Sequence, residues 1–103
     1  MKKVLIIDDE KSTLTMFRLF LKALGYDVVT AANGAEGVDL FASERPDIVL
    51  TDIKMPGMDG FDVLQAVKEI DAGAPVIMIT GHGDVDLARR AMEQHATDLV
   101  HKP

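Results

Sequence analysis

Lys3-Val4-Leu5-Ile6-Ile7-Asp8-Asp9-Glu10 carries a run of aliphatic side chains that stops abruptly at three carboxylates. A strand that is apolar on both faces belongs in the middle of a covered, usually parallel, sheet. Two later segments repeat the pattern. Asp47-Ile48-Val49-Leu50-Thr51-Asp52 reads as a third strand ending in a carboxylate, and Val76 to Ile79 as a fourth that runs into Thr80. Asp27 to Ala32 and Thr97 to His101 supply a second strand and a short fifth. Helices are predicted between them. Leu14, Phe17, Leu21 and Leu24 recur at helical spacing, with Ser12 as a start cap and Gly25 at the left-handed C-cap position. Val38, Phe41 and Ala42 mark a second helix, which follows an Asn33-Gly34 turn and is stopped by Pro46. Ile53 to Gly60 reads as a loop. Phe61, Leu64, Val67 and Ile70 carry a third helix, and Val85, Ala88, Ala91 and Met92 a fourth, with Asp84 as its cap.

The order β-α-β-α-β-α-β-α-β implies an α/β fold, a doubly wound five-stranded parallel sheet with right-handed crossovers and helices on both faces. At 103 residues, with no linker, repeat or low-complexity tract, residues 1–103 read as one domain. Apolar residues make up 48% and charged residues 27%, which excludes a disordered chain. A net charge of −6 argues against direct binding to nucleic acid. The absence of cysteine excludes disulfides, thiolate zinc sites and cysteine nucleophiles. No apolar stretch approaches the ~20 residues of a membrane span, and Met1-Lys2-Lys3 is not followed by a signal-peptide core. A cytoplasmic location is the expectation.

In open parallel α/β sheets, ligands bind beyond the carboxyl ends of the strands. The chemistry-bearing residues fall at those ends: Asp8 and Asp9, Asp52, Thr80 and Lys102. Two unit charges about 4 Å apart repel by ~4 kcal/mol at an effective dielectric near 20, so clustered carboxylates must protonate in part or take up a cation. An oxygen-only cluster suits a hard ion such as Mg²⁺. A lysine and a threonine on neighbouring strands would hold a phosphoryl group against it. One carboxylate could then attack phosphorus and form an acyl phosphate.

These residues resemble the receiver domain of two-component response regulators. The resemblance is carried by Ile7-Asp8-Asp9-Glu10, by Asp52-Ile53-Lys54-Met55-Pro56-Gly57-Met58-Asp59-Gly60, by Ile79-Thr80-Gly81 and by Lys102-Pro103, in the family's order and across the whole chain. It implies a flavodoxin-like sheet of order 2-1-3-4-5. It further implies that Asp52 is the phosphoacceptor, served by a phosphohistidine on a sensor histidine kinase or phosphotransfer protein. Asp8, Asp9, Asp52 and the Lys54 backbone carbonyl would bind Mg²⁺. Lys102 would pair with the phosphoryl oxygens, Thr80 would hydrogen-bond to them and move, and Gly81 would leave room for the donor. The stretch from Thr80 to Val85 is similar to receivers that precede transcription-activating modules. The family domain is a phosphoacceptor, not an enzyme acting on other substrates.

Three departures stand out. Leu99 occupies a position where the family usually has tyrosine or phenylalanine, so switching is expected to rely on backbone shifts around the fourth helix. His95 replaces the glycine after that helix, which predicts a strained or differently shaped helix end. The family's fifth helix is absent from these residues. One apolar face of Val76 to Ile79 and of Leu99-Val100 is therefore expected to lack cover, at roughly 1.5–3 kcal/mol for each exposed aliphatic side chain. Self-association through that face, another partner, or a longer parent protein are the three expectations. A cis Lys102-Pro103 bond is the family's pattern.

Taken singly, the motifs have plainer readings. Asp8-Asp9-Glu10 could be a solvated turn before a helix, Thr80 a strand residue, Lys102 a solvated lysine, and His82, His95 and His101 surface residues without metal-ligand spacing. Two other functions compete. A Mg²⁺-dependent phosphohydrolase would need a substrate-binding insertion and a carboxylate two residues beyond Asp52, where Lys54 stands. A non-phosphorylated pseudo-receiver would tend to lose the acidic pair or the lysine, both of which are kept here.

Overall fold

The computed structural model describes residues 2–81 and 85–101. Five strands and four helices alternate: β1 (Lys3–Ile7), α1 (Lys11–Ala23), β2 (Asp27–Ala31), α2 (Gly34–Glu44), β3 (Ile48–Asp52), α3 (Gly60–Ile70), β4 (Val76–Thr80), α4 (Val85–Glu93) and β5 (Asp98–His101). All pairings are parallel and the sheet order is β2-β1-β3-β4-β5. The doubly wound α/β class and the 2-1-3-4-5 order expected from the sequence are both present. β1 and β3 lie inside the sheet, and helices cover both faces of it, which is why the run from Val4 to Ile7 is buried on both faces.

Side chains alternate across the sheet. Leu5, Ile7, Val49, Val76 and Met78 point into the main core, where Phe41 of α2, Phe61, Val63, Leu64 and Val67 of α3, and Ala91 of α4 meet them. Val4 and Ile6 point to the opposite face, over which α1 lies across β1 and β2.

The helix ends differ in part from the sequence reading. Ser12 is not the cap of α1; Glu10 occupies that position without a side-chain hydrogen bond, and Ser12 lies inside the first turn. The turn is held instead by Asp8 Oδ1, which accepts from Glu10 N at 2.9 Å. Asn33-Gly34 is not a separate turn but the start of α2, with Asn33 Oδ1 accepting from Glu36 N at 2.8 Å. Gly60 is the first residue of α3, not the last of a loop. Asp59 and Asp62 form a reciprocal capping box at 2.9 and 3.1 Å. The Asp84 cap expected for α4 lies outside the described residues.

Gly25 takes φ +94°. Gly25 N donates to Lys22 O and Tyr26 N to Leu21 O, which is a Schellman end. His95 adopts the same conformation at φ 67°, with His95 N donating to Met92 O and Ala96 N to Ala91 O. The end of α4 is therefore shaped like that of α1, with the strain falling on a residue that has a Cβ.

The expected uncovered face is present in part. Ile79 is buried and Leu99 packs against the main core, but Ile77 is only half-buried and Val100 is 46% exposed. Exposure also falls along α1, where Phe20 is 55% exposed, and on Leu24 just after it, at 61%. No residue of α1 is fully buried. The Lys102-Pro103 bond lies outside the described residues.

Candidate functional site

Parallel register brings the strand ends level. Ile7 pairs with Ala31 and with Thr51, and Asp52 pairs with Ile79. The residues that follow β1, that end β3 and that end β4 therefore emerge at one edge of the sheet. Two further hydrogen bonds extend the ladder there, from Asp8 N to Ala31 O and from Ile53 N to Ile79 O, each at 3.1 Å.

Asp8, Asp9 and Asp52 meet at this edge. Each offers a carboxylate oxygen, and these atoms lie within 4.8 Å of one another. Asp8 and Asp52 are buried, whereas Asp9 is exposed. At such spacing the buried pair repels by roughly 3 kcal/mol at an effective dielectric near 20. Both carboxylates are oriented by the backbone: Glu10 N donates to Asp8 Oδ1, and Ile53 N donates to Asp52 Oδ1 at 3.0 Å. Thr80 ends β4 with its hydroxyl buried and without a hydrogen-bond partner among the described residues. A buried hydroxyl left in that condition carries a desolvation cost of about 1–3 kcal/mol, which an incoming acceptor would relieve. Beside it, a side chain on Gly81 would meet no atom of the described residues within 4 Å.

Lys54 lies exposed two residues beyond Asp52, in the loop that leads to α3. It lines a cleft of about 390 Å³ with Met55, Pro56, Phe61 and Arg90. Lys102 and His82 lie outside the described residues; β5 runs toward the same edge, with His101 beside Thr80.

Sequence reasoning quoted Gly60 in a motif but gave it no role. Its N–H donates to Ile53 O at 2.8 Å, and a Cβ there would overlap the Asp52 carbonyl oxygen and come within 2.7 Å of Ile53 Cα. Gly60 thus seats α3 directly on the backbone that bears Asp52. An Asp-Gly pair opening a helix at the end of the short loop that follows a strand-end carboxylate was the available signal.

The sequence matches the response regulator receiver domain family over residues 4–103. The chain belongs to that family. It is 37% identical over 102 residues to the sporulation initiation phosphotransferase F of Bacillus subtilis, covering 99% of this chain and 82% of that protein. It is 44% identical over 102 residues to a probable transcriptional regulator, ycf27, of Guillardia theta, covering 99% of this chain and 40% of that one. The receiver thus spans less than half the length of the second relative. Among solved structures, a response regulator receiver domain protein from Clostridium thermocellum superposes with a TM-score of 0.95 at 39% identity, covering 100% of this chain and 83% of that one. Receiver domains are phosphoacceptor signalling domains of two-component systems, so phosphorylation-dependent signalling is the class of function this chain belongs to. No helix among the described residues is long and apolar enough to cross a membrane.

Proposed function

We propose that residues 1–103 act as a single phosphorylatable switch in which Asp52 is the phosphoacceptor. The observation that carries this reading is the convergence of three carboxylates within 4.8 Å, beside the buried Thr80 hydroxyl. In the reaction an Asp52 carboxylate oxygen attacks the phosphorus of a phosphohistidine on a histidine kinase or phosphotransfer protein. An O–P bond forms as the N–P bond breaks, and the imidazole nitrogen leaves with the electron pair. The Ile53 N–H holds the Asp52 carboxylate in one orientation, which removes part of the entropic cost of attack.

An all-oxygen donor set with two buried carboxylates fits a hard divalent cation, and Mg²⁺ is the cation we assign to it. Asp8, Asp9 and Asp52 would hold it, with the Lys54 carbonyl as a further oxygen ligand. When bound it neutralises charge on the phosphoryl oxygens. Thr80 would donate its hydroxyl to one of those oxygens, giving a buried group its hydrogen bond. Lys102 would pair with another. Modification would alter the surface around α4 and β5, and the output of any longer protein would read that change. The domain would bind its phosphodonor and neither nucleic acid nor membrane. The expected self-association, through the face of β4 and β5 left by the fifth helix, would seat a second copy on Val100, and sedimentation showing only monomer at ~100 μM would remove it.

Intact mass after incubation with acetyl phosphate and Mg²⁺ tests the central assignment. One added phosphoryl group on the parent and none on Asp52→Asn is expected. No adduct on a demonstrably folded parent, or equal adducts on both, would refute it. The first of those results would leave a non-phosphorylated interaction module.

A further inference from the structure

We infer that Arg90 is a positioning residue that latches α4 to the first turn of α3 in the unphosphorylated protein, and so sets how readily the acid site takes up a phosphoryl group. The inference rests on the phosphoacceptor reading of Asp52. The Arg90 guanidinium lies 4.0 Å from the centroid of the Phe61 ring. Phe61 is buried and is the second residue of α3. The residue before it, Gly60, donates to Ile53 O and packs its Cα against the Asp52 backbone. One stacked ring and one peptide unit therefore separate α4 from the backbone of the phosphoacceptor.

Among the α4 side chains that are described, Ala91 is buried in the core, whereas Asp86, Arg89, Met92 and Glu93 are exposed. No hydrogen bond or ion pair among the described residues links α3 to α4. Clefts lie on both sides of the stack. The first, of about 390 Å³, leads back to Lys54, and the second, of about 610 Å³, separates Leu64 and Lys68 of α3 from Glu93 and His95 at the end of α4. A helix seated by a small residue and flanked by clefts can shift at low cost, and a directional contact then decides its resting position. A cation over an aromatic face at a largely exposed site is worth about a two- to five-fold change in an equilibrium. On this proposal the contact is made before a phosphoryl group arrives and lost as α4 moves, so removing it lowers the cost of that movement.

The test compares the parent with Arg90→Met, which keeps an unbranched helix-forming side chain, and with Arg90→Lys, which keeps a cation. Amide exchange is measured without ligand, and the beryllofluoride midpoint is measured with Mg²⁺. In Arg90→Met the α4 amides should exchange two- to five-fold faster while β1 and β3 amides are unchanged. The beryllofluoride midpoint should fall by a similar factor, and Arg90→Lys should restore part of both. Unchanged α4 exchange in Arg90→Met would overturn the latch. Faster exchange with an unchanged or raised midpoint would overturn its link to the acid site. A parent blind to beryllofluoride would instead refute the Asp52 reading, and the exchange arm would still judge the Arg90–Phe61 contact.

Discussion

Replacing Gly60 by alanine inserts one methyl group between the start of α3 and the backbone of Asp52. The added carbon would overlap the Asp52 carbonyl oxygen and sit 2.7 Å from Ile53 Cα. Neither neighbour is the tip of a flexible side chain, so the helix or the strand end must move. Overpacking of this kind costs about 1–3 kcal/mol. Weakening of the 2.8 Å hydrogen bond from Gly60 N to Ile53 O adds ~0.5–1.5 kcal/mol. Alanine returns up to ~1 kcal/mol through helix propensity, and less at a first-turn position. The net loss is about 1–3 kcal/mol. With a urea slope of ~1–1.5 kcal/mol per molar for a chain this small, the midpoint should fall by roughly 0.7–3 M. Labelling by acetyl phosphate should fall further than stability does, because a displacement of the order of 1 Å at a reacting group can cost ~100-fold. Gly73→Ala is the control, since a Cβ there meets only Asp71 Oδ1 at an ordinary 3.6 Å. A Gly60→Ala protein with the parent's urea midpoint and labelling rate would refute the reasoning.

The acid cluster gives a second expectation. Asp9→Asn removes one charge from it and should stabilise the protein by ~1 kcal/mol in chelator, while weakening the stabilisation conferred by Mg²⁺; thermal melts with and without the ion read both effects. His95→Gly should stabilise by about 0.5–1 kcal/mol in urea unfolding, because the left-handed position then carries no Cβ; no gain would mean that contacts of the imidazole offset the strain. Leu99→Tyr places a ring at a half-buried position packed on the core, and overpacking should cost ~1–3 kcal/mol; unchanged stability would show room for an aromatic there.

The sheet and its acid edge were legible because they rest on local rules. Aliphatic runs such as Val4 to Ile7 can only be central strands, and the carboxylate that ends each run marks its emergence from the core. The parallel arrangement then brings the ends together with no further information. Asn33-Gly34 was harder, because an asparagine side chain accepts a backbone hydrogen bond in a turn and at a helix cap alike. What separates the two is tertiary: a Cβ on Gly34 would lie 2.6 Å from Met58 Cβ, so that residue is pinned by the loop before α3. The stripe of α1 was legible in position but not in cover. Periodicity locates a helix's apolar stripe but not how much of it a neighbour covers, so Leu14, Phe17 and Leu21 are half-buried while Leu24, of the same stripe, lies open. Arg90 carried no signal at all. A charged residue on a helix is expected in solvent, and only the placement of α3 brings a ring beneath it.

The amino end of the sheet has a consequence for handling the protein. Lys3 N donates to Asp47 Oδ2 at 2.7 Å, Asp27 N to Lys2 O at 2.9 Å, and Lys3 Nζ pairs with Glu44 at 3.2 Å. The start of β1 is thus stitched to two neighbouring segments, and β1 then runs about 16 Å before reaching Asp8. An affinity tag, fluorophore or surface linker joined ahead of Lys2 hangs from the pole opposite the acid cluster. Immobilised that way, the molecule presents its carboxylates outward to a phosphodonor in solution, whereas a graft into the 53–59 loop would stand in the doorway.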